Sequence, residues 1–263
     1  MLIDFVIGFF LSVIAGLIGS MIGIGGGIII SPFLSYIDYL PSQISSTSLI
    51  SVFSTSLSSS IVFIRKKLIS NKVGLILSIF SIPGTYFGVL LSKMFSLSEF
   101  KFYFAFILLG TSLYLVLKSR YKKKKNLLNS TYTFENRSNL KNYYFRLSLI
   151  ILFSFFAGIL SSSFGIGGGI IYVPSLIIFL EFNMNQAAAT SQFALLFTSF
   201  SGLLFYIYYG YPNYGMGFIL SIGSLLGGLA GSKLSSKVSS NSLQKIFSII
   251  LIIVSIKLFY DEV

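Results

Sequence analysis

Ten long apolar stretches dominate the chain, at roughly 3–22, 24–38, 45–64, 73–92, 100–117, 146–164, 166–182, 188–209, 214–233 and 243–260. Most approach the about 20 residues that carry a helix across bilayer hydrocarbon. They lack the polar face of a soluble helix and the strict alternation of a half-buried strand. Composition agrees: 54% of residues are apolar and 10% charged, against about 25% charged in soluble domains. A soluble enzyme, a disordered protein and a disulfide-stapled domain are excluded. The fold class is an all-α polytopic membrane protein, with 8–10 spans and no sizeable soluble domain. The chain has no Cys and no His, which removes thiolate chemistry, His-based triads and His metal sites. The net charge of +12 reads as loop charge on the cytoplasmic side, not as a nucleic-acid footprint. The opening Met1-Leu2-Ile3-Asp4 lacks a basic region and reads as the start of a first span.

The two halves repeat. Gly23-Ile24-Gly25-Gly26-Gly27-Ile28-Ile29-Ile30-Ser31-Pro32 matches Gly165-Ile166-Gly167-Gly168-Gly169-Ile170-Ile171-Tyr172-Val173-Pro174 at eight of ten positions, with an offset of 142. Thr47-Ser48 and Thr190-Ser191 follow at an offset of 143, as do Gly84 and Gly88 with Gly227 and Gly231. The chain therefore divides into a first membrane repeat, 1–117, a basic linker, 118–145, expected to be flexible and cytoplasmic, and a second repeat, 146–263. The linker carries Lys122-Lys123-Lys124-Lys125 and two glycosylation sequons, at Asn129 and Asn136, which stay silent if it is cytoplasmic. If all ten segments span, the repeats are inverted, and 16 of the 19 Lys and Arg lie on the cytoplasmic side. If the two glycine-rich segments are re-entrant, the halves are parallel and only 14 do. The positive-inside rule favours two inverted five-segment repeats.

Three glycines followed by an apolar run and a proline should break a membrane helix. Such a break survives only where protein or a water-filled cavity surrounds the freed backbone groups. Matching broken helices in two halves point to a transport site near the midplane, and bare N–H groups at a helix start favour an anion. The alternative is close helix packing by small residues, the simpler reading for isolated glycines such as Gly84 and Gly227. The block is neither a dinucleotide fingerprint, since Ile28 and Ile170 stand where the third glycine belongs, nor a P-loop, since no Lys-Ser/Thr follows.

No charged residue lies in the middle of a span, so the carboxylates that hold a metal cation are missing. Asp38 and Glu181 are the deepest acids, each shortly after a motif proline. They read either as interfacial caps or as candidates for proton coupling. Neutral donors remain: backbone N–H groups, the hydroxyls of Ser46, Thr47, Ser48, Thr190 and Ser191, and the amide of Gln192. Such donors suit a small oxyanion bound weakly enough to leave, although hydroxyls in an apolar helix can simply bond back to the preceding turn. Tyr206, Tyr208, Tyr209, Tyr211 and Tyr214 read as an interfacial belt.

At these motifs the sequence resembles the TauE/SafE sulfite-exporter family of permeases. The resemblance rests on Gly23–Pro32 with Thr47-Ser48 and on Gly165–Pro174 with Thr190-Ser191. It implies a cytoplasmic-membrane permease for small anions, such as sulfur oxyanions, sulfonates or other organic acids. By position it implies a site formed by Gly25, Gly26, Gly27, Thr47 and Ser48, and by Gly167, Gly168, Gly169, Thr190 and Ser191, with Pro32 and Pro174 shaping the breaks. The polar lead-in Gln43-Ile44-Ser45-Ser46 departs from the family pattern more than Gln186-Ala187-Ala188-Ala189 does. The expected partners are the lipid bilayer, a small anion and a coupling proton or ion, with no cofactor and no nucleic acid. A secondary transporter is the leading expectation and a passive anion channel the alternative. An intramembrane enzyme would need a Ser-Lys or carboxylate pair at depth, which the sequence does not offer.

Overall fold

The computed structural model describes residues 2–37, 39–125 and 140–260. They form ten α-helices: α1 (Leu2–Ile22), α2 (Gly27–Ser35), α3 (Pro41–Arg65), α4 (Asn71–Met94), α5 (Leu97–Lys125), α6 (Leu140–Phe164), α7 (Gly169–Phe179), α8 (Met184–Tyr208), α9 (Tyr214–Leu234) and α10 (Ser240–Tyr260), with a 3-10 turn at Ser235–Lys237. No strand occurs among the described residues. Each apolar stretch became one helix. Six helices, α1, α3, α4, α6, α8 and α9, are long and apolar enough to cross a membrane. The sequons at Asn129 and Asn136 lie outside the described residues.

The two glycine-rich segments are helical only after their glycines. With nine residues, α2 rises about 14 Å, and α7, with eleven, about 17 Å. Neither crosses about 30 Å of hydrocarbon alone.

Packing between the halves is reciprocal. Helix α1 lies along α9, and its counterpart α6 lies along α4. Likewise α3 packs on α9 as α8 packs on α4, while α3–α8 and α5–α10 pair equivalent helices. Glycines make the closest crossings. A methyl on Gly227 or Gly231 would overlap the carbonyls of Val13 or Leu17, and one on Gly84 or Gly88 those of Phe155 or Ile159. These four glycines pack helices together, as the small-residue reading had it.

Helix ends are tied across the halves as well. The Asn213 N–H, at the start of α9, donates to Thr47 Oγ1 of α3 at 3.1 Å. The Ser70 N–H, at the start of α4, donates to Thr190 Oγ1 of α8, also at 3.1 Å. The beginning of α3 therefore lies beside the chain leaving α8, and the beginning of α8 beside the chain leaving α3, so these central helices run in opposite directions. Lys66 closes the far end of α9, its Nζ 2.8 Å from the Ser232 carbonyl and 3.1 Å from that of Lys233. A cation at a helix C-terminus is favourably placed against the dipole.

The exposed residues include Phe10, Phe106, Phe218 and Ile253, a surface that suits lipid contact. One tyrosine departs from the expected belt. Tyr208 and Tyr214 are exposed, but Tyr206 is fully buried, with its hydroxyl 2.6 Å from both Ser92 Oγ and the Ser162 carbonyl. It faces the bundle, where its phenol finds the partners that burial requires.

Candidate functional site

Each glycine block turns the chain through left-handed backbone. Gly23 and Gly25 have φ of 89° and 77°, and Gly165 and Gly167 have 66° and 78°, a region that only glycine enters without cost. Helix α1 closes as the N–H groups of Gly23 and Ile24 donate to the Gly19 carbonyl at 2.9 and 3.0 Å. Helix α2 restarts with Ile29 and Ile30 donating to Gly26, and α7 with Ile171 and Tyr172 donating to Gly168. Between these points, the N–H groups of Gly25, Gly26, Gly27 and Ile28 meet no backbone acceptor among the described residues, and neither do those of Gly167, Gly168, Gly169 and Ile170. These are the donors that a helix start leaves open.

The two loops cross. A Cβ on Gly27 would overlap the Gly165 carbonyl and Ile166 Cα, and one on Gly169 would overlap the Gly23 carbonyl and Ile24 Cα. Both starts of helix, with their positive dipole ends, thus meet at one place inside the bundle.

The Thr-Ser pairs hold that crossing. Ser48 Oγ donates to the Gly165 carbonyl at 2.7 Å, and Ser191 Oγ to the Gly23 carbonyl at 2.5 Å. Ser31 and Ser45 add bonds to the Phe164 and Ser163 carbonyls, at 2.8 and 2.7 Å. Ser46 bonds back to Gln43 within its own helix, and the threonines cap α9 and α4 as described. The serines therefore position the loops, their hydrogens directed to carbonyls, and the threonines position the starts of α9 and α4. Gln192, fully buried, donates through Nε2 to the Gly19 carbonyl at 2.7 Å, while its Oε1 has no partner among the described residues.

Pro32 and Pro174 do not sit at the breaks. Each lies inside the short helix, in α2 and α7, and the glycines alone make the turn. Asp38 lies outside the described residues. Glu181 follows the end of α7 in an exposed position, 3.4 Å from Arg146, which also reaches the Phe179 carbonyl. Those contacts tie the end of α7 to α6. No cluster of three or more metal-binding side chains occurs among the described residues.

Two features escaped sequence reasoning. Helix α3 carries a buried run, Ser54-Thr55-Ser56 and Ser58-Ser59-Ser60, in which Thr55 Oγ1, Ser56 Oγ and Ser60 Oγ have no partner among the described residues. Serine is so common here that only comparison with the more apolar α8 would have exposed it. Tyr172, the one aromatic substitution between the matching blocks, is also fully buried, its hydroxyl 3.0 Å from Thr198 Oγ1. At the first loop a cavity of about 20 Å³ is lined by Ala15, Gly19, Gly25, Gly26 and neighbouring isoleucines. That is room for one water molecule, so a larger guest requires the helices to part.

The chain has relatives among known proteins. Residues 8–258 match the family described as sulfite exporter TauE/SafE. A probable membrane transporter protein, YunE, of Bacillus subtilis (strain 168) is 32% identical, over 99% of both chains. A probable membrane transporter protein of Methanocaldococcus jannaschii is 30% identical, over 90% of this chain and 89% of its own. The probable membrane transporter protein YfcA of Escherichia coli (strain K12) is 24% identical, over 97% of this chain and 89% of its own. No solved structure matches.

Proposed function

The chain belongs to the TauE/SafE sulfite exporter family, and on that premise we propose that this multi-pass membrane permease carries a small oxyanion, of the sulfur oxyanion, sulfonate or organic-acid class. The observation that carries this reading is the crossing of two glycine loops, each with consecutive unpaired N–H groups at a helix start. Preorganised neutral donors, added to the dipole ends of α2 and α7, hold an anion without the cost of burying a cationic side chain.

The two repeats act as inverted halves around this crossing. One rocks against the other, opening the small cavity to each face in turn. The pairing of α1 with α9 and of α4 with α6 means that each moving half carries one helix of the other's wall. Gly25, Gly26, Gly27 and Gln192 face the anion, Gly167, Gly168 and Gly169 form the loop that crosses theirs, Ser48 and Ser191 hold the loops in register, and Thr47 and Thr190 hold the starts of α9 and α4. Coupling to a proton would run through Asp38 or Glu181, the latter exposed beyond the end of α7.

Purified protein in liposomes, given labelled sulfite, sulfate or a sulfonate, tests this. Saturable flux of at least one anion is expected, and no flux of any above protein-free vesicles would contradict it. Flux that rises linearly without saturating would indicate a channel.

A further inference from the structure

The two loops match in sequence but differ in what surrounds them. We infer that the first loop, with Gln192, forms the anion site, and that Tyr172 closes the equivalent place in the second half. This rests on the reading of the crossing loops as an oxyanion site.

At the first loop, the Gly19 carbonyl takes Gly23 N–H, Ile24 N–H and Gln192 Nε2. Because that carbonyl accepts only, the Gln192 amide has its nitrogen there, and its Oε1 must point elsewhere. This oxygen is buried and unpaired. Its carrier is tethered to the wall of the cavity lined by Gly19, Gly25 and Gly26. A Cβ on Gly26 would meet Ser51 Oγ at 3.2 Å, and Ser51 pairs with Ser224 Oγ at 2.5 Å. Polar groups therefore reach the first loop from α8 and α3, the latter backed by Ser224 of α9.

At the second loop the counterpart of Ser224 is Ser81, but that of Ser51 is Ala194. Leu49 stands where the repeat would place the counterpart of Gln192, and Tyr172 replaces Ile30. The Tyr172 ring lies over Gly168, its Cζ 2.9 Å from where a Cβ would stand. The phenol is pinned by Thr198 Oγ1, which in turn lies 2.7 Å from Ser81 Oγ. A ring held by its far end fills the space that an anion would need above Gly168.

The first loop carries unpaired donors, and the amide bonded to its Gly19 carbonyl carries an unpaired acceptor. An anion with no hydrogen would satisfy the N–H groups and repel Gln192 Oε1. An oxyanion that keeps one proton satisfies both, accepting from the loop and donating to the amide. Hydrogensulfite has that chemistry.

The test uses the purified full chain, with sulfite in mildly acidic buffer, where it is largely hydrogensulfite. Anion-dependent thermal stabilisation gives apparent affinity. Gln192→Leu, which copies Leu49, should weaken binding at least about tenfold, the worth of one hydrogen bond to a charged group. Ile30→Tyr, which plants the ring in the first half, should do the same. Tyr172→Phe should bind within about twofold of wild type, because the phenol touches no anion. If Gln192→Leu, correctly inserted, binds as well as wild type, the assignment is overturned whether or not Ile30→Tyr folds. A tenfold loss in Tyr172→Phe overturns it too, by moving the site to the second half. No stabilisation of the wild type by sulfite at any concentration, with no flux, would instead defeat the underlying oxyanion reading.

Discussion

Ser48 donates its hydroxyl hydrogen to the Gly165 carbonyl at 2.7 Å, and Ser191 does the same for Gly23 at 2.5 Å. Each half thus fastens the other's loop by the residue that follows its repeated threonine. The arrangement keeps two left-handed turns fixed where unpaired backbone would otherwise be costly.

Removing one fastener leaves a buried carbonyl short of a donor. Ser48→Ala or Ser191→Ala should each lower stability by about 1–3 kcal/mol, read as a fall in the melting temperature of detergent-purified protein. Because the loops touch, the double variant should depart from the sum of the singles. Additive losses would show that the two bonds act independently.

The glycines should separate into two groups. Gly27→Ala and Gly169→Ala drive a methyl into the opposite loop's backbone, so both should lose folded yield. Gly110→Ala meets nothing within 4 Å among the described residues and should be neutral or gain up to about 1 kcal/mol through helix propensity. Monodisperse protein recovered after size exclusion reports the difference. Normal recovery of Gly27→Ala would show that the loops lie farther apart.

Thr47→Val and Thr190→Val keep shape but remove the acceptors at the starts of α9 and α4. Each should cost about 1 kcal/mol, as lost helix caps do. Hydrogen exchange should rise locally, at Asn213 for the first and Ser70 for the second. A rise spread over the whole bundle would contradict this pairing.

Lys66 is held below the ordinary lysine range, first by partial burial and then by Lys237. A lysine with a lowered folded pKa is penalised while charged. The penalty is present below the folded pKa and is relieved as pH rises through it. Relative to Lys66→Gln, wild-type stability should therefore improve slightly on the alkaline side, by a small amount because the side chain is mostly solvated. A change of opposite sign would mean that the bonds to the α9 carbonyls outweigh burial.

Much of this architecture was legible in the sequence. Ten apolar runs became ten helices, and the glycine blocks became the two breaks, because hydropathy and backbone freedom are local properties. Partners were less legible. Hydropathy places Tyr206 near a membrane face without saying that its ring turns inward to Ser92 and Ser162. Spacing marks Thr47-Ser48 and Thr190-Ser191 as a repeated pair, but not that the threonines cap distant helices while the serines clasp the opposite loop. Pro32 and Pro174 are the sixth residues of α2 and α7, past the first turn, where each removes one backbone donor. The difference between Ile30 and Tyr172 was visible as letters, and only packing gives it meaning.

The most direct test compares the wild type with Gly26→Leu in proteoliposomes supplied with labelled sulfite. A Cβ at Gly26 has Ser51 Oγ at 3.2 Å and Ala15 Cβ at 3.3 Å, so a leucine fills the place where backbone would meet the anion. The account expects saturable uptake by the wild type and background uptake by a variant that inserts normally. Equal uptake by both, or none by the wild type above empty vesicles, would contradict it.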